Sequence, residues 1–533
     1  MCACSSVGLE HNPPKVRVTR SSRAGRSKAN NSKEKNMNKS EFKDLIFYEI
    51  YPTSFYDSNS DGIGDLKGIE LKLDYVKELG CNAIWLNPFF KSPFLDGGYD
   101  VEDFFDVDPR FGTIDDFKSL IKAAHEKGIK IILDLVAGHA SIKNKQFQKS
   151  AEAKTNEYSD LFIWSDSVWE WNPNFRLMAG IYPRNGAFLV NFFAHQPAFN
   201  YGFNIIDRPW QMSYEDPKTY QAREYMLNVM RFWLELGADG FRVDMADSLV
   251  KNDNDKQATI KVWQYLFSII RKEYPNAYFV SEWCHPQRAL DAGFDADFVL
   301  DHWDTFYHLM VRSNENTKGT CLFNGGDNLD LVINDMKWRF DEAKKHNAYL
   351  ALVSGNHDTP RIADSLDINN LKLFYLFQMS MPGTPFIYYG DELAMKTMPL
   401  DSKDGGYQRT GARIPMIWNN NEKNHGFSHI NGETYLPFYE ANKISVEDAI
   451  KDKDSLYHFI KALITLRKEN EELTSSDLDI QSHDSIIEIS RGGSFKTILN
   501  LSSNSYRING NVLISSKEIK DNLLEPFTGV IVK

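Results

Sequence analysis

The sequence is poor in cysteine, in long apolar runs and in excess positive charge. Its five cysteines among 533 residues, Cys2, Cys4, Cys81, Cys284 and Cys321, are odd in number and mostly far apart. That excludes a disulfide-framed fold and a zinc ribbon and favours a reducing compartment. Cys81 and Cys284 sit in apolar, strand-like runs and read as small buried hydrophobes. The longest apolar stretches, such as IILDLV and FIYY, fall far short of the roughly 18–20 residues of a spanning helix. The N-terminus lacks the run of about 7–15 apolar residues that marks an export signal. A cytoplasmic protein without membrane contact is the expectation. Asp and Glu number 73 against 61 Lys and Arg, a net charge of −12, which excludes a generally basic nucleic-acid binder. No internal repeat or coiled-coil heptad is present.

What the sequence has is length, aromatics and one segment unlike the rest. At roughly 100–200 residues per domain, the chain is long enough for a large α/β barrel with an appendage or for two to three ordinary domains. Phe 35, Tyr 24 and Trp 11 make 13% of the residues. Such an excess suits flat ligands such as sugars or bases, and a large core explains it almost as well. Residues 1–36 hold eight Lys or Arg against Glu10 and Glu34, a net +6 that leaves −18 on the remainder. This stretch has almost no large apolar residues, so it reads as a disordered basic leader or as sequence ahead of a natural start at Met37.

From Leu45 onward, eight short β-rich runs alternate with helical patterns. The runs are 46–51, 83–88, 129–136, 240–244, 277–282, 297–301, 349–354 and 385–389. Between them lie stretches such as DDFKSLIKAAHEKG and YMLNVMRFWLELG, apolar at helical spacing and closed by Gly. This predicts a (β/α)8 barrel over 37–140 and 206–470. About 105 residues separate the third and fourth runs, far more than a βα unit needs. Residues 141–205 therefore read as an insertion (a B domain) after the third strand, on the face where barrel sites are built. From 471 to 533 short strands and turns predict a small C-terminal β-sandwich domain.

The strand ends carry the chemistry. The third run leads into Asp134 and His139, the fourth contains Arg242 and Asp244, the fifth ends at Glu282, and the seventh is followed by Asn356-His357-Asp358. A barrel brings such ends to one mouth. Each Asp taken singly reads as well as a helix N-cap. Together, carboxylates, an Arg and two His in one pit are equipment for glycosidic cleavage, which needs one carboxylate to attack and another to donate a proton.

With these motifs in order, residues 45–533 resemble glycoside hydrolase family 13, the α-amylase family, nearest its oligo-1,6-glucosidase and α-glucosidase-like branch. The resemblance implies a catalytic set of Asp244 (GFRVD) as nucleophile, Glu282 (FVSEW) as general acid/base and Asp358 (GNHD) as transition-state stabiliser. It implies that Arg242, His139 and His357 orient the nucleophile and bind sugar hydroxyls, and that Tyr99 and Asp100 (GGYD) supply a stacking platform and a supporting carboxylate. Asp96 and Arg413 match a paired Asp and Arg that clamp the terminal sugar, and the segment QPAFN (196–200) offers Asn200 as its usable polar position. Arg242 lies two residues before Asp244 on one strand face and is expected to favour its ionised form, with Glu282 kept protonated by neighbouring negative charge. The retaining route expects the two carboxyl groups about 5–5.5 Å apart.

The implied activity is a retaining exo-α-glucosidase acting on α-1,4 or α-1,6 bonds of short oligosaccharides. A transglucosylase or isomerase of the same family is the alternative, with an endo-acting α-amylase behind it. No organic cofactor and no nucleic-acid partner is implied, and a monomer is expected. The loop Asp57-Ser-Asn59-Ser-Asp61-Gly-Ile63-Gly-Asp65 spaces oxygen ligands around glycine. It reads either as an Asx-rich turn or, as in this branch, as a structural Ca2+ (or Mg2+) site on Asp57, Asn59, Asp61, Ile63 and Asp65. The sequence also departs from the pattern. Gly138 stands where Asn usually precedes the site histidine, Gly97 replaces an Asn beside Asp96, and Asp247-Ser248 replace the acceptor-side Lys and His of many amylases. Met245 leaves the linkage preference open.

Overall fold

The computed structural model describes residues 39–405 and 407–533. The basic leader, Cys2 and Cys4 lie outside the described residues. Eight parallel strands close into a barrel in chain order: β1 (Phe47–Ile50), β2 (Ala83–Leu86), β3 (Lys130–Val136), β4 (Gly240–Asp244), β5 (Tyr278–Ser281), β6 (Ala296–Val299), β7 (Tyr349–Val353) and β8 (Thr384–Tyr388). Closure is made where Phe47 pairs with both Ala83 of β2 and Phe386 of β8. All eight expected runs are strands of this barrel. Its lumen is filled by rings: Phe47 stacks on Phe386 at 4.2 Å between centroids, Phe298 meets Phe386 at 4.9 Å and Trp85 at 5.4 Å. Much of the aromatic excess is therefore core.

The helices form for reasons visible in their residues. In α1 (Ile114–Glu126), Thr113 and Asp116 make a reciprocal capping box, and Phe117, Leu120, Ile121 and Ala124 turn one buried face to the barrel. Gly128, at φ +73°, ends the run. In α2 (Tyr220–Glu235), Ala222, Met226, Met230 and Trp233 do the same.

Between β3 and α2 the chain leaves the barrel. The excursion holds a short helix (Lys145–Ser150), a strand pair (Leu177–Ala179 with Ala187–Leu189) and its own core of Ile163, Leu189, Ala198, Phe203 and Trp210. Phe203 and Trp210 belong to that core, so the inserted structure runs on past 205 towards α2. It returns over the barrel mouth, where His139 bridges to Ala198. Cys81 and Cys321 are buried, whereas Cys284 is only half-buried, in a loop at φ +59° rather than in a strand. Its expected role as a core hydrophobe is corrected accordingly, because the chain leaves β5 at Ser281.

The C-terminal part begins with a helical turn (Glu471–Thr474) rather than a strand. Five antiparallel strands follow: β9 (Asp479–His483), β10 (Ile486–Arg491), β11 (Phe495–Asn500), β12 (Val512–Ser515) and β13 (Thr528–Val532), with a two-stranded sheet (Tyr506–Arg507 with Leu523–Leu524) beside them. Ile486, Ile498, Ile508, Leu524, Val530 and Val532 make the core between them. Two buried arginines tie this part to the barrel. Arg467 donates to the carbonyls of Met379, Met381, Gly383 and Leu473 at 2.7–3.2 Å, and Arg491 donates to those of Ser380, Ser475 and Asp477.

Candidate active site

The mouth of the barrel gathers the strand-end residues around one guanidinium. Arg242, 1% exposed on β4, holds Asp134 at 2.5 Å, Asp244 at 3.0 Å and Glu282 at 2.9 Å. Asp134 is itself fixed by the Trp85 indole N–H at 2.8 Å and the Tyr99 hydroxyl at 3.2 Å. Three carboxylates on one cation leave the cluster negative. Burial and the Glu282 carboxylate push Asp244 well above the usual carboxylate range, and Arg242, pulling the other way, does not overcome them. Arg242 does favour the ionised form of Asp244, as expected from their shared strand face, but burial and Glu282 act more strongly in the other direction. Glu282 Oε2 takes the Met245 backbone N–H at 2.9 Å as well as Arg242.

A second cationic group surrounds Asp358. Arg409 lies at 2.6 Å, Arg413 at 2.9 Å and His357 Nε2 at 3.2 Å. Burial pushes Asp358 up, but His357, Arg409 and Arg413 outweigh it and hold the carboxyl well below its ordinary value. His357 is fully buried between Asp358 and Glu49, whose Oε1 is 2.8 Å from Nδ1. Burial alone would lower its pKa; the two carboxylates raise it instead. Tyr99 stacks on this imidazole at 5.3 Å with its hydroxyl 2.6 Å from Nε2.

The expected Asp96–Arg413 clamp is not made. Asp96 pairs with Arg409, and its other oxygen accepts from Gln196 Nε2 at 2.6 Å. Arg413 instead reaches Asp358, the His357 carbonyl at 2.8 Å and the Tyr51 hydroxyl. Arg413 also packs against Gly97, one of the sequence's departures: a Cβ there would stand 2.2 Å from Arg413 Nη1, so the guanidinium in this position needs glycine. Asp100 braces the same loop, accepting from the Leu95 and Asp96 N–H groups and the Ser92 hydroxyl, and burial pushes it up to about 7. In QPAFN the functional reach belongs to Gln196. Asn200 bonds the Asp160 carbonyl and the Gly202 N–H and supports its own loop.

His139 is buried, and burial lowers it to about 3, so it is neutral. Its Nε2 faces the Tyr99 carbonyl at 3.1 Å, and its Nδ1 faces the Asn191 amide nitrogen at 3.0 Å. Asn191, from the insertion, fills the space over Gly138, where a Cβ would lie 2.8 Å from that nitrogen. On the same side Asp247 pairs with Lys256, while Ser248, Asn191 and Lys251 line a polar cavity of about 730 Å3.

Sequence reasoning missed Arg409, Gln196, Glu49, Asn191 and Lys251. Glu49 had a signal, a lone carboxylate inside the apolar strand FYEI. Arg409 had only its place four residues before Arg413.

In the expected metal loop, Asp57 is buried. Its oxygens take the N–H groups of Asn59, Ser60 and Gly62 and the Ser428 hydroxyl. Asn59 and Asp61 accept from Asp61 and Ile63, and Asp65 caps the helix Leu66–Leu71 through the Gly68 N–H at 2.6 Å. The donor set is all oxygen, as a hard divalent ion requires. Among the described residues no three His, Cys, Asp or Glu converge as ligands, so an ion here would lean on the Asn59 and Ile63 oxygens as well as on carboxylates.

Comparison with known proteins agrees with the barrel fold. The family model for the α-amylase catalytic domain matches residues 49–476. "Trehalose synthase/amylase TreS" of Mycolicibacterium smegmatis is 31% identical over 486 residues, 81% of this chain and 76% of that protein. The oligo-1,6-glucosidase of Bacillus cereus is 30% identical over 524 residues, covering 84% and 88%. Among solved structures, Bacillus licheniformis trehalose-6-phosphate hydrolase superimposes with a TM-score of 0.76 at 24% identity, covering 92% of this chain and 99% of that one, a likeness of fold.

Proposed function

The chain belongs to the α-amylase family of glycosidases, and from that premise we propose that it is a retaining, exo-acting α-glucosidase of short oligosaccharides. The observation that carries the exo reading is the buried Asp96–Arg409–Asp358–Arg413 network. Its arginines are 7% and 0% exposed, and it walls off the donor side with fixed charges that a threading chain would have to break. One glucose unit ends there.

The proposed chemistry uses one proton between two carboxylates. With the sugar bound, the proton sits on Glu282 and Asp244 is ionised. Asp244 attacks the anomeric carbon while Glu282 protonates the leaving oxygen. Glu282 then takes a proton from water, which attacks the glycosyl-aspartate and releases α-configured glucose. Arg242 touches both carboxylates and so fixes nucleophile and acid relative to each other across the scissile bond. Asp358, kept anionic by its three partners, binds ring hydroxyls more tightly as positive charge develops.

A second reading, transglucosylation or isomerisation, is favoured by the relatives named trehalose synthase. Product chromatography with maltose, isomaltose and sucrose decides between them. Glucose as sustained main product supports hydrolysis; a new disaccharide as main product overturns it. For the loop at 57–65 we propose a structural Ca2+ or Mg2+ ion. Chelation is expected to lower the melting temperature by several degrees and added Ca2+ to restore it; an unchanged melt removes the ion from the account.

A further inference from the structure

Deepening the reading just given, and resting on it for the role of His139, we infer that Lys251, acting through Asn191, positions His139 with its single proton on Nε2. Lys251 Nζ donates to Asn191 Oδ1 at 2.6 Å and to the Ser248 carbonyl. Both partners are oxygens that only accept. Burial lowers Lys251 to about 7, yet an amine and an ammonium alike carry enough N–H groups for two oxygens. The ammonium form has no lone pair, so it is that form which obliges Asn191 to turn Oδ1 toward Lys251, while the Ser248 carbonyl accepts from either form.

The rest of the chain of bonds follows from valence. With Oδ1 turned to Lys251, the Asn191 amide presents Nδ2 to His139 Nδ1 at 3.0 Å. An NH2 group only donates, so Nδ1 must offer a lone pair. The imidazole is neutral, so its one proton is on Nε2, where it is donated to the Tyr99 carbonyl at 3.1 Å. The opposite tautomer would set two donors against each other at Nδ1 and two lone pairs against each other at Nε2. Gly138 belongs to the device because any side chain there would displace Asn191. The device also joins three parts of the chain: the end of β3, the insertion, and the loop after β4. Lys251 is a positioning residue; it reaches substrate only through His139, whose Nε2–H is thereby committed to the carbonyl of Tyr99, the residue proposed as the sugar's stacking platform.

The test is the 15N spectrum of histidine-labelled full-length protein, with His139 assigned by its loss in H139Q. The wild type is expected to show Nδ1 bare and Nε2 protonated. Lys251→Met frees the amide to flip and should give a mixture, Asn191→Asp should move the proton to Nδ1, and Lys251→Arg, which keeps N–H donors, should retain the wild-type pattern. Alongside, kcat/KM should fall by roughly tenfold in K251M, the worth of about one hydrogen bond, and recover in part in K251R. A wild type protonated at Nδ1, or K251M and N191D with the wild-type pattern, overturns the inference. A merely structural lysine would lower the melting temperature and leave the tautomer alone. The spectrum needs no substrate, so failure of this inference is distinguishable from failure of the glucosidase reading.

Discussion

Arg409 offers the sharpest test of the site's electrostatics, because it bridges two carboxylates that its loss affects differently. In Arg409→Met, Asp358 keeps Arg413 at 2.9 Å and His357 at 3.2 Å. Asp96, only 4% exposed, keeps no carboxylate-neutralising partner at hydrogen-bond distance, its remaining close contact being the neutral Gln196 amide. Breaking a buried pair on one side costs about 3–5 kcal/mol, and since Asp96 can relieve itself by taking a proton, the lower end, about 3 kcal/mol, applies. Burial is the largest influence on Asp96 and raises its pKa; Arg409 is the main one opposing it, so the substitution raises it further. A carboxylate whose folded value lies above its unfolded value stabilises the fold below the unfolded value and loses that stabilisation as pH rises through the folded one. The penalty of R409M should therefore be full at pH 8 and shrink steadily toward pH 4. Adding Asp96→Asn removes the stranded charge, so R409M/D96N should be more stable than R409M by about 2 kcal/mol at pH 8. Urea unfolding of the wild type, R409M, D96N and R409M/D96N at two pH values reads both effects. Additivity of the two substitutions within about 0.5 kcal/mol, or a pH-independent penalty, would show that Asp96 does not depend on Arg409.

Glu282→Gln should lower kcat about 10²–10⁴-fold on substrates with poor leaving groups and far less on activated aryl glucosides, since only the former need the proton; equal losses on both would argue against its acid role. Asp244→Asn should abolish steady turnover, and trapping with a 2-fluoroglucoside followed by mass spectrometry should label the wild-type peptide containing Asp244. His139, lowered to about 3 from an ordinary 6.5, contributes stability that is present above pH 6.5 and lost as pH falls toward 3. His139→Gln should therefore flatten acid unfolding over that window, by up to about 5 kcal/mol. Gln196→Ala should lower kcat/KM about tenfold by loosening Asp96, whereas Asn200→Ala should cost about 1–2 kcal/mol of stability and leave KM alone.

The barrel was legible because each strand is a short β-rich run and each flanking helix shows its own periodicity and stop signal. The strand-end residues were legible for a related reason: Arg242 and Asp244 share a strand face through a spacing of two, and the barrel then places Glu282 beside them. What the sequence could not show was pairing between distant side chains. Arg409 and Arg413 stand four residues apart in QRTGAR, and nothing local decides which one meets Asp96. The place Arg413 takes instead lies against Gly97, more than 300 residues earlier, whose missing Cβ leaves room for the guanidinium. Asn191 was hidden for the same reason, since the gap it fills is left by Gly138. In the sequence both glycines look like losses of function; in the fold each is a space occupied by another residue. The upward push on Asp244 escapes the sequence because a strand spacing reveals Arg242 but not how deeply the group is buried beside Glu282 and Asp134.

The arginines at the barrel's base have a consequence for anyone who would cut the protein down. Arg467 and Arg491 each commit a guanidinium to backbone carbonyls contributed by both the eighth-strand region and the start of the C-terminal sheet. Deleting the sheet would therefore leave not a clean end but the buried Ser380 carbonyl without the Arg491 donor and Arg467 without its Leu473 acceptor, just ahead of β8. There is no seam at residue 471. The β appendage is the floor on which the last barrel strand is laid, and a truncated enzyme should fail first in that strand, through loss of its footing.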